Sequence, residues 1–162
     1  MSFLCAQQAL IKAILWATVA KIALQGRVNT VRTILIGLIF VAGMFNLLLG
    51  LSYLFDPAGA AAGHGVSYTG QLGLATLRAD FTAFFVVIGL CMLRGAWKRN
   101  GDVLLVPAAL FGIALFGRLL TLMLSGSGPG FYLPMAAEAG QVILLVLGWR
   151  WVPHHKVAEL TG

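Results

Sequence analysis

The sequence predicts an all-α fold, an integral membrane four-helix bundle with an N-terminal interfacial helix. Composition is the first reason, because 60% of the residues are hydrophobic, only 10% are charged and the mean hydropathy is +0.94. In an ordinary soluble domain about a quarter of the residues are charged. The length of 162 residues provides for one domain.

Four apolar runs are the second reason, since a hydrocarbon core of ~30 Å is crossed by about 20 helical residues. The runs are residues 33–55, 74–93, 103–124 and 133–151. Their connections are a Gly- and Ala-rich loop (56–73), a short basic turn (94–102) and a short flexible turn (125–132). Small residues four apart, Ala108 with Gly112 and Ala136 with Gly140, predict close contact between helices.

The N-terminal segment is expected to differ from the bundle. We expect an amphipathic interfacial segment at residues 1–30, the bundle at 31–152 and a cytoplasmic tail at 153–162. Residues 3–25 are long enough to span, but Lys12 near their middle would cost about 2.5–3.5 kcal/mol on insertion. The lysines therefore favour a helix lying in the interface. A fifth span, which would put the N-terminus outside, is the alternative.

The basic residues predict the orientation. Nine of the eleven Lys and Arg residues lie on one side of the predicted membrane: Lys12, Lys21, Arg27, Arg32, Arg94, Lys98, Arg99, Arg150 and Lys156. The opposite loops contain neither residue type. Because cytoplasmic loops carry an excess of Lys and Arg, we expect a multi-pass protein of the cell inner membrane with both termini cytoplasmic. The net charge of +6 is therefore explained by the basic residues that orient the helices in the membrane, and no nucleic-acid partner is expected.

Five polar residues inside the predicted helices form the candidate site: Asn46, Arg78, Asp80, Arg118 and Glu138. Counted from the cytoplasmic helix ends at ~1.5 Å per residue, they fall in one slab about 6 Å thick, in the outer half of the membrane. Since a charge facing lipid is costly, we expect these groups to point into the bundle and pair.

The first expected pair is Arg118 with Glu138, because a short loop makes their helices neighbours. Arg78 and Asp80 are two residues apart and point in different directions on a helix. We expect each to serve a different neighbour, or Arg78 to extend outward to the headgroups.

The function of this polar layer has several interpretations. Buried ion pairs can fix helix order without any chemistry. We favour a binding or accessory protein that holds an amphipathic ligand (a lipid, quinone, isoprenoid or pigment) or docks on a larger membrane complex. The alternative is a proton- or ion-coupled transporter titrating Glu138 and Asp80. The apolar inner halves of the helices count against that alternative.

A membrane enzyme using the same two carboxyl groups as acid and base is a third hypothesis. The sequence has no nucleophile–base motif and no metal-ligand spacing, and it identifies no cofactor.

Three stretches also carry a resemblance: LATLRADFTAFFVVIGL, FGRLLTLMLSGSGPG and YLPMAAEAG. Together they resemble a family of small bacterial four-helix membrane proteins described only as a domain of unknown function. The matching positions are Arg78 and Ala79 in the second helix, Gly117 to Leu119 in the third and Glu138 in the fourth. The resemblance covers residues 35–150 and implies the four-helix fold, and it implies no activity.

Overall fold

The computed structural model describes residues 2–153, with the backbone alone described for residues 2–20 and 22–24. This part of the chain is helical and contains no strand, which confirms the all-α prediction. Its α-helices are α1 (Ser2–Phe55), α2 (Pro57–Gly63), α3 (Gly70–Thr76), α4 (Thr82–Trp97), α5 (Leu105–Ser125) and α6 (Tyr132–Trp151). A π-helical turn, Leu77–Phe81, joins α3 to α4, and a 3₁₀ turn, Asp102–Leu104, precedes α5.

Four helical segments of the described chain are long and apolar enough to cross a membrane. They are Gln25–Phe55, Gly70–Trp97, Asp102–Ser125 and Tyr132–Trp151, and they contain the four runs that the sequence indicates. This length and composition indicate a multi-pass membrane protein.

The chain divides into two units between Ile34 and Leu35. In the first unit the hydroxyls of Thr30 and Thr33 bond to the carbonyls of Gly26 and Asn29, each one helical turn earlier. Helix α1 includes both the expected N-terminal segment and the first apolar run. The side chains of residues 2–20 and 22–24 lie outside the described part, and so do tail residues 154–162, so the interfacial placement and the tail stay predictions.

In the second unit, α1 from Leu35 onward shares one hydrophobic core with α4, α5 and α6. The residues of this core that are fully buried are Ile39, Ile88, Met92, Leu104 and Leu145. The core lies toward what we call the basic end, where α4 ends at Trp97 and α6 ends at Trp151. The far end is the opposite one, where α5 ends at Ser125 and α6 begins at Tyr132.

Glycines bring α1 and α4 together backbone to backbone. A Cβ atom at Gly89 would lie 2.7 Å from the backbone nitrogen of Leu47, and one at Gly43 would lie 2.9 Å from the Cβ of Met92. At Gly112 and Gly140 a Cβ would meet nothing within 4 Å. The predicted close contact is therefore not made at these two glycines, although α5 packs along α6 and Ala108, of the first pair, is buried in the core.

A second, smaller cluster covers the α1–α4 pair at the far end. Tyr53, Ala61 and Leu77 are buried there, and Ala61 comes from α2. The sequence indicates only a loop at α2, but Asp56 and Pro57 start a helix. The Asp56 carboxylate accepts the Gly59 N–H at 3.0 Å, and proline is favourable at a first helical position.

Candidate functional site

The site is centred on an ion pair between α5 and α6. The Nε of Arg118 donates to Oε1 of Glu138 at 2.8 Å, which is the first pairing predicted from the sequence. The side chain of Arg118 is 39% exposed and that of Glu138 is 13% exposed. The carboxylate is therefore the more buried partner and the guanidinium the more exposed one.

Only one of the five N–H donors of the Arg118 guanidinium is used. The pair is joined by a single Nε–Oε1 bond, and the two terminal amino groups of Arg118 bond to no atom in the described part of the chain. A guanidinium binds carboxylate or phosphate oxygens well when two donors are presented side by side. The terminal amino groups thus remain available to an acceptor oxygen outside the described residues.

The interior side of the pair has unsatisfied acceptors. Oε2 of Glu138 and Oε1 of Gln141 are buried and accept no hydrogen bond within the described residues. Gln141 follows Glu138 by three residues, so the two side chains share a face of α6. Since a buried, unpaired acceptor costs about 1–3 kcal/mol, a donor supplied from outside would stabilise this face.

Around the pair, much of the apolar surface of α5 and α6 is exposed at the far end. In α5 the buried residues end at Phe111, and in α6 they begin at Leu145. Beyond these positions many large side chains of both helices are exposed: Ile113, Phe116, Leu119, Leu120, Met123, Leu124, Tyr132, Leu133 and Ile143. The ion pair therefore lies on a part of α5 and α6 that the other described helices leave uncovered.

Arg78 and Asp80 do not join this pair. Both lie in the π-helical turn and both are exposed. Nε of Arg78 donates to the carbonyl of Leu54 at 3.1 Å, where α1 is ending and its carbonyls have no helical partner. The side chain of Asp80 has no hydrogen bond or ion pair in the described structure.

The expectation that both residues point inward and pair is wrong. The physical reason is local. The wider turn displaces these side chains from the α-helical register that the sequence argument assumed, and the end of α1 supplies carbonyl acceptors for Arg78. The expectation that Arg78 and Asp80 serve different neighbours holds for Arg78.

Asn46 is buried, as expected, but it serves the α1–α4 interface. Its side chain is 2% exposed, its Nδ2 donates to the carbonyl of Ala42 at 2.8 Å and lies 4.0 Å from Sδ of Met92. A buried amide satisfied by its own helix and a neighbouring sulfur has a structural role. The five predicted residues therefore form three separate environments, and only Arg118 and Glu138 are brought together.

Two features lie outside the five residues predicted from the sequence. One is Gln141, a polar residue just below the predicted layer that the sequence argument left out of the candidate site, although its spacing from Glu138 favours including it. The other is the aromatic cluster at the far end of α1, where the ring of Tyr53 stacks on Phe81 with centroids 4.8 Å apart and lies 5.6 Å from the His64 ring. The Tyr53 hydroxyl is buried without a hydrogen-bond partner among the described residues.

Among the residues whose side chains the structure describes, no group of three His, Cys, Asp or Glu could hold a metal ion. No protein-family model, curated protein or solved structure matches the chain. The resemblance drawn from the three sequence stretches therefore stays a prediction, and the functional argument rests on the site itself.

Proposed function

We propose that this chain is a small accessory or binding protein of the inner membrane that holds an amphipathic ligand at the Arg118–Glu138 pair. The observation that carries the proposal is an ion pair left on an uncovered part of two helices, with donors free on one partner and an acceptor free on the other. In this proposal the four apolar helices span the membrane with both termini cytoplasmic, so that the far end is the outer end.

The energetics support a ligand more than a purely structural pair. A structural ion pair between transmembrane helices is favoured when its remaining donors and acceptors are satisfied by neighbours. Here Arg118 keeps its terminal amino groups unpaired, and Glu138 keeps a buried oxygen unpaired. These unsatisfied donors and this unsatisfied acceptor are the groups to which a polar ligand could bind.

The same groups define the chemistry of the ligand. Its head would carry a carbonyl, carboxyl or phosphate oxygen for the Arg118 guanidinium, and a hydroxyl or N–H donor for the acceptors on α6. Its tail would lie along the exposed apolar residues of α5 and α6 at the far end, such as Phe116 and Leu120. A hydroxyl-bearing lipid, a quinol, an isoprenoid alcohol or a pigment fits this description.

Docking on a larger membrane complex through the same face is the second candidate. The exposed apolar surface that α5 and α6 present beyond Phe111 favours it. In that case a helix of the partner, in place of a ligand head, supplies the missing donors and covers the pair.

The transporter alternative needs both carboxyl groups on one path, and Asp80 lies exposed in the π-helical turn, separate from Glu138.

The test is native mass spectrometry of the full chain extracted gently from its own membrane. We expect a stoichiometric small molecule on the wild type that is lost from the Glu138→Gln variant. Asp80→Asn is the matched control, because it removes a carboxylate from the same predicted slab but outside the pair, and it should keep the ligand. Capture of a defined larger assembly by the wild type, lost in Glu138→Gln, would favour the docking candidate. A bare wild-type chain would contradict both.

A further inference from the structure

We propose that the basic end of the second unit is a binding site for the headgroup of an anionic phospholipid. This site is separate from the Arg118–Glu138 pair, which lies toward the opposite end of α5 and α6. It is formed by Arg94, Arg99 and Arg150, with Trp97 beside them.

The three arginines present unpaired charge. Their side chains are exposed, and none of them forms an ion pair within the described part of the chain. Trp97, three residues after Arg94 and two before Arg99, is 76% exposed. An exposed indole beside cations at the end of an apolar helix is typical of a side chain that lies at the level of the headgroups.

Backbone hydrogen bonds gather these residues at one place. The N–H of Gly101 donates to the carbonyl of Pro153 at 3.0 Å, which ties the α4–α5 turn to the end of α6, three residues after Arg150. The N–H of Asn100 donates to the carbonyl of Gly95 at 2.9 Å and closes the turn on α4. Charges from two separate helices are therefore held at the same end of the unit.

Arg99 adds an independent observation. Among the described residues it is the one non-glycine residue with a positive φ, which is 50°, and it directly follows Lys98, the residue that caps the C-terminus of α4. Glycine is the usual residue at such a position, since it adopts this conformation without strain. An arginine held there, in place of glycine, points to a role for its side chain.

A phospholipid headgroup is the occupant that these features favour. A phosphate oxygen is the group for which guanidinium geometry is best suited, and basic groups at the cytoplasmic ends of helices select anionic headgroups. Helix-end cations also interact with the carbonyls of α4 and α6. That interaction alone would give no preference for one lipid over another.

The experiment reconstitutes the full chain in bicelles of equal parts phosphatidylglycerol and phosphatidylcholine and measures by native mass spectrometry which lipid stays bound. We expect wild type to retain phosphatidylglycerol preferentially. Each neutralised arginine should lower that preference about fivefold, so Arg99→Gln and Arg150→Gln should each reduce it and the double variant should reduce it further. Arg78→Gln removes the same charge at the far end and should leave the preference unchanged.

Two further variants separate lipid binding from folding. Arg99→Gly relieves the positive φ, so it should raise thermal stability while lowering the lipid preference. Arg99→Lys should keep most of the preference. The proposal is overturned if wild type retains both lipids equally, if Arg78→Gln lowers the preference as much as Arg99→Gln, or if Arg99→Gly leaves the preference intact. None of these outcomes depends on a ligand at Arg118 and Glu138.

Discussion

The α1–α4 pair and the α5–α6 pair treat their polar residues in opposite ways. Between α1 and α4 the backbones touch at Gly43 and Gly89, and the polar residue at that interface, Asn46, is buried and hydrogen-bonded. Between α5 and α6 the ion pair lies where large side chains are exposed, and it keeps unsatisfied atoms on both partners. A polar residue inside an apolar helix of this protein therefore lies either in a packed interface or on an exposed face, and the packing around the residue distinguishes the two cases.

The largest expected effect is at the tight interface. We expect Gly89→Leu to destabilise the fold by at least about 3 kcal/mol, because the added side chain would overlap the α1 backbone at Leu47. Gly140→Leu is the control, since a Cβ there meets nothing within 4 Å, and it should change stability by less than ~1 kcal/mol. Thermal unfolding in a mild detergent measures both. Equal losses would mean that Gly89 lies in no closer contact than Gly140 does.

The second-largest effect on stability is expected at the Arg118–Glu138 ion pair. A double-mutant cycle on Arg118→Ala and Glu138→Ala should give a coupling energy of about 1–2 kcal/mol, between the values typical of exposed and of buried pairs, since Arg118 is 39% exposed. The cycle is read from the same unfolding measurement. A coupling energy indistinguishable from zero would show that the bond does not persist in solution.

A smaller effect of the opposite sign is expected at Tyr53. Its hydroxyl is buried without a partner, so Tyr53→Phe should raise stability by up to ~1 kcal/mol while the stacking on Phe81 is retained. Phe81→Ala is the comparison variant and should lower stability because the stacked ring is lost. A loss of stability in Tyr53→Phe would show that the hydroxyl does have a partner, such as a bound water.

The smallest effect is expected at Asp80. Its carboxylate is exposed and unpaired in the described structure, so Asp80→Asn should leave stability within ~0.5 kcal/mol of wild type. The unfolding midpoint measures this. A large loss of stability would show that the Asp80 carboxylate forms an ion pair or hydrogen bond inside the bundle.

The sequence predicted the helices well because apolar length is a strong signal. The four runs and their boundaries agree with the four long helices to within a few residues, apart from the longer helix α1. The pairing of Arg118 with Glu138 could also be predicted, since the short turn between α5 and α6 leaves those residues few other partners of opposite charge.

The rest of the polar layer could not be predicted from depth alone. Counting residues along a helix gives height in the membrane, but the direction of a side chain depends on the helical register. The π-helical turn at Leu77–Phe81 changes that register at Arg78 and Asp80, and no residue pattern in it signalled the wider turn. Tight packing at Gly43 and Gly89 was missed as well, because the two glycines lie on different helices and form no local motif.

In our proposal the Arg118–Glu138 pair binds a ligand in addition to holding α5 to α6. The most direct test is ligand occupancy in the charge-exchanged variant Arg118→Glu/Glu138→Arg. The exchange restores an ion pair between the helices, but it puts the carboxylate on α5 and the guanidinium on α6, so that a ligand would meet the opposite charge at each position. We predict that this variant recovers most of the stability lost by either single substitution and carries no ligand. Full ligand occupancy in the exchanged variant, or none in the wild type, would contradict the claim.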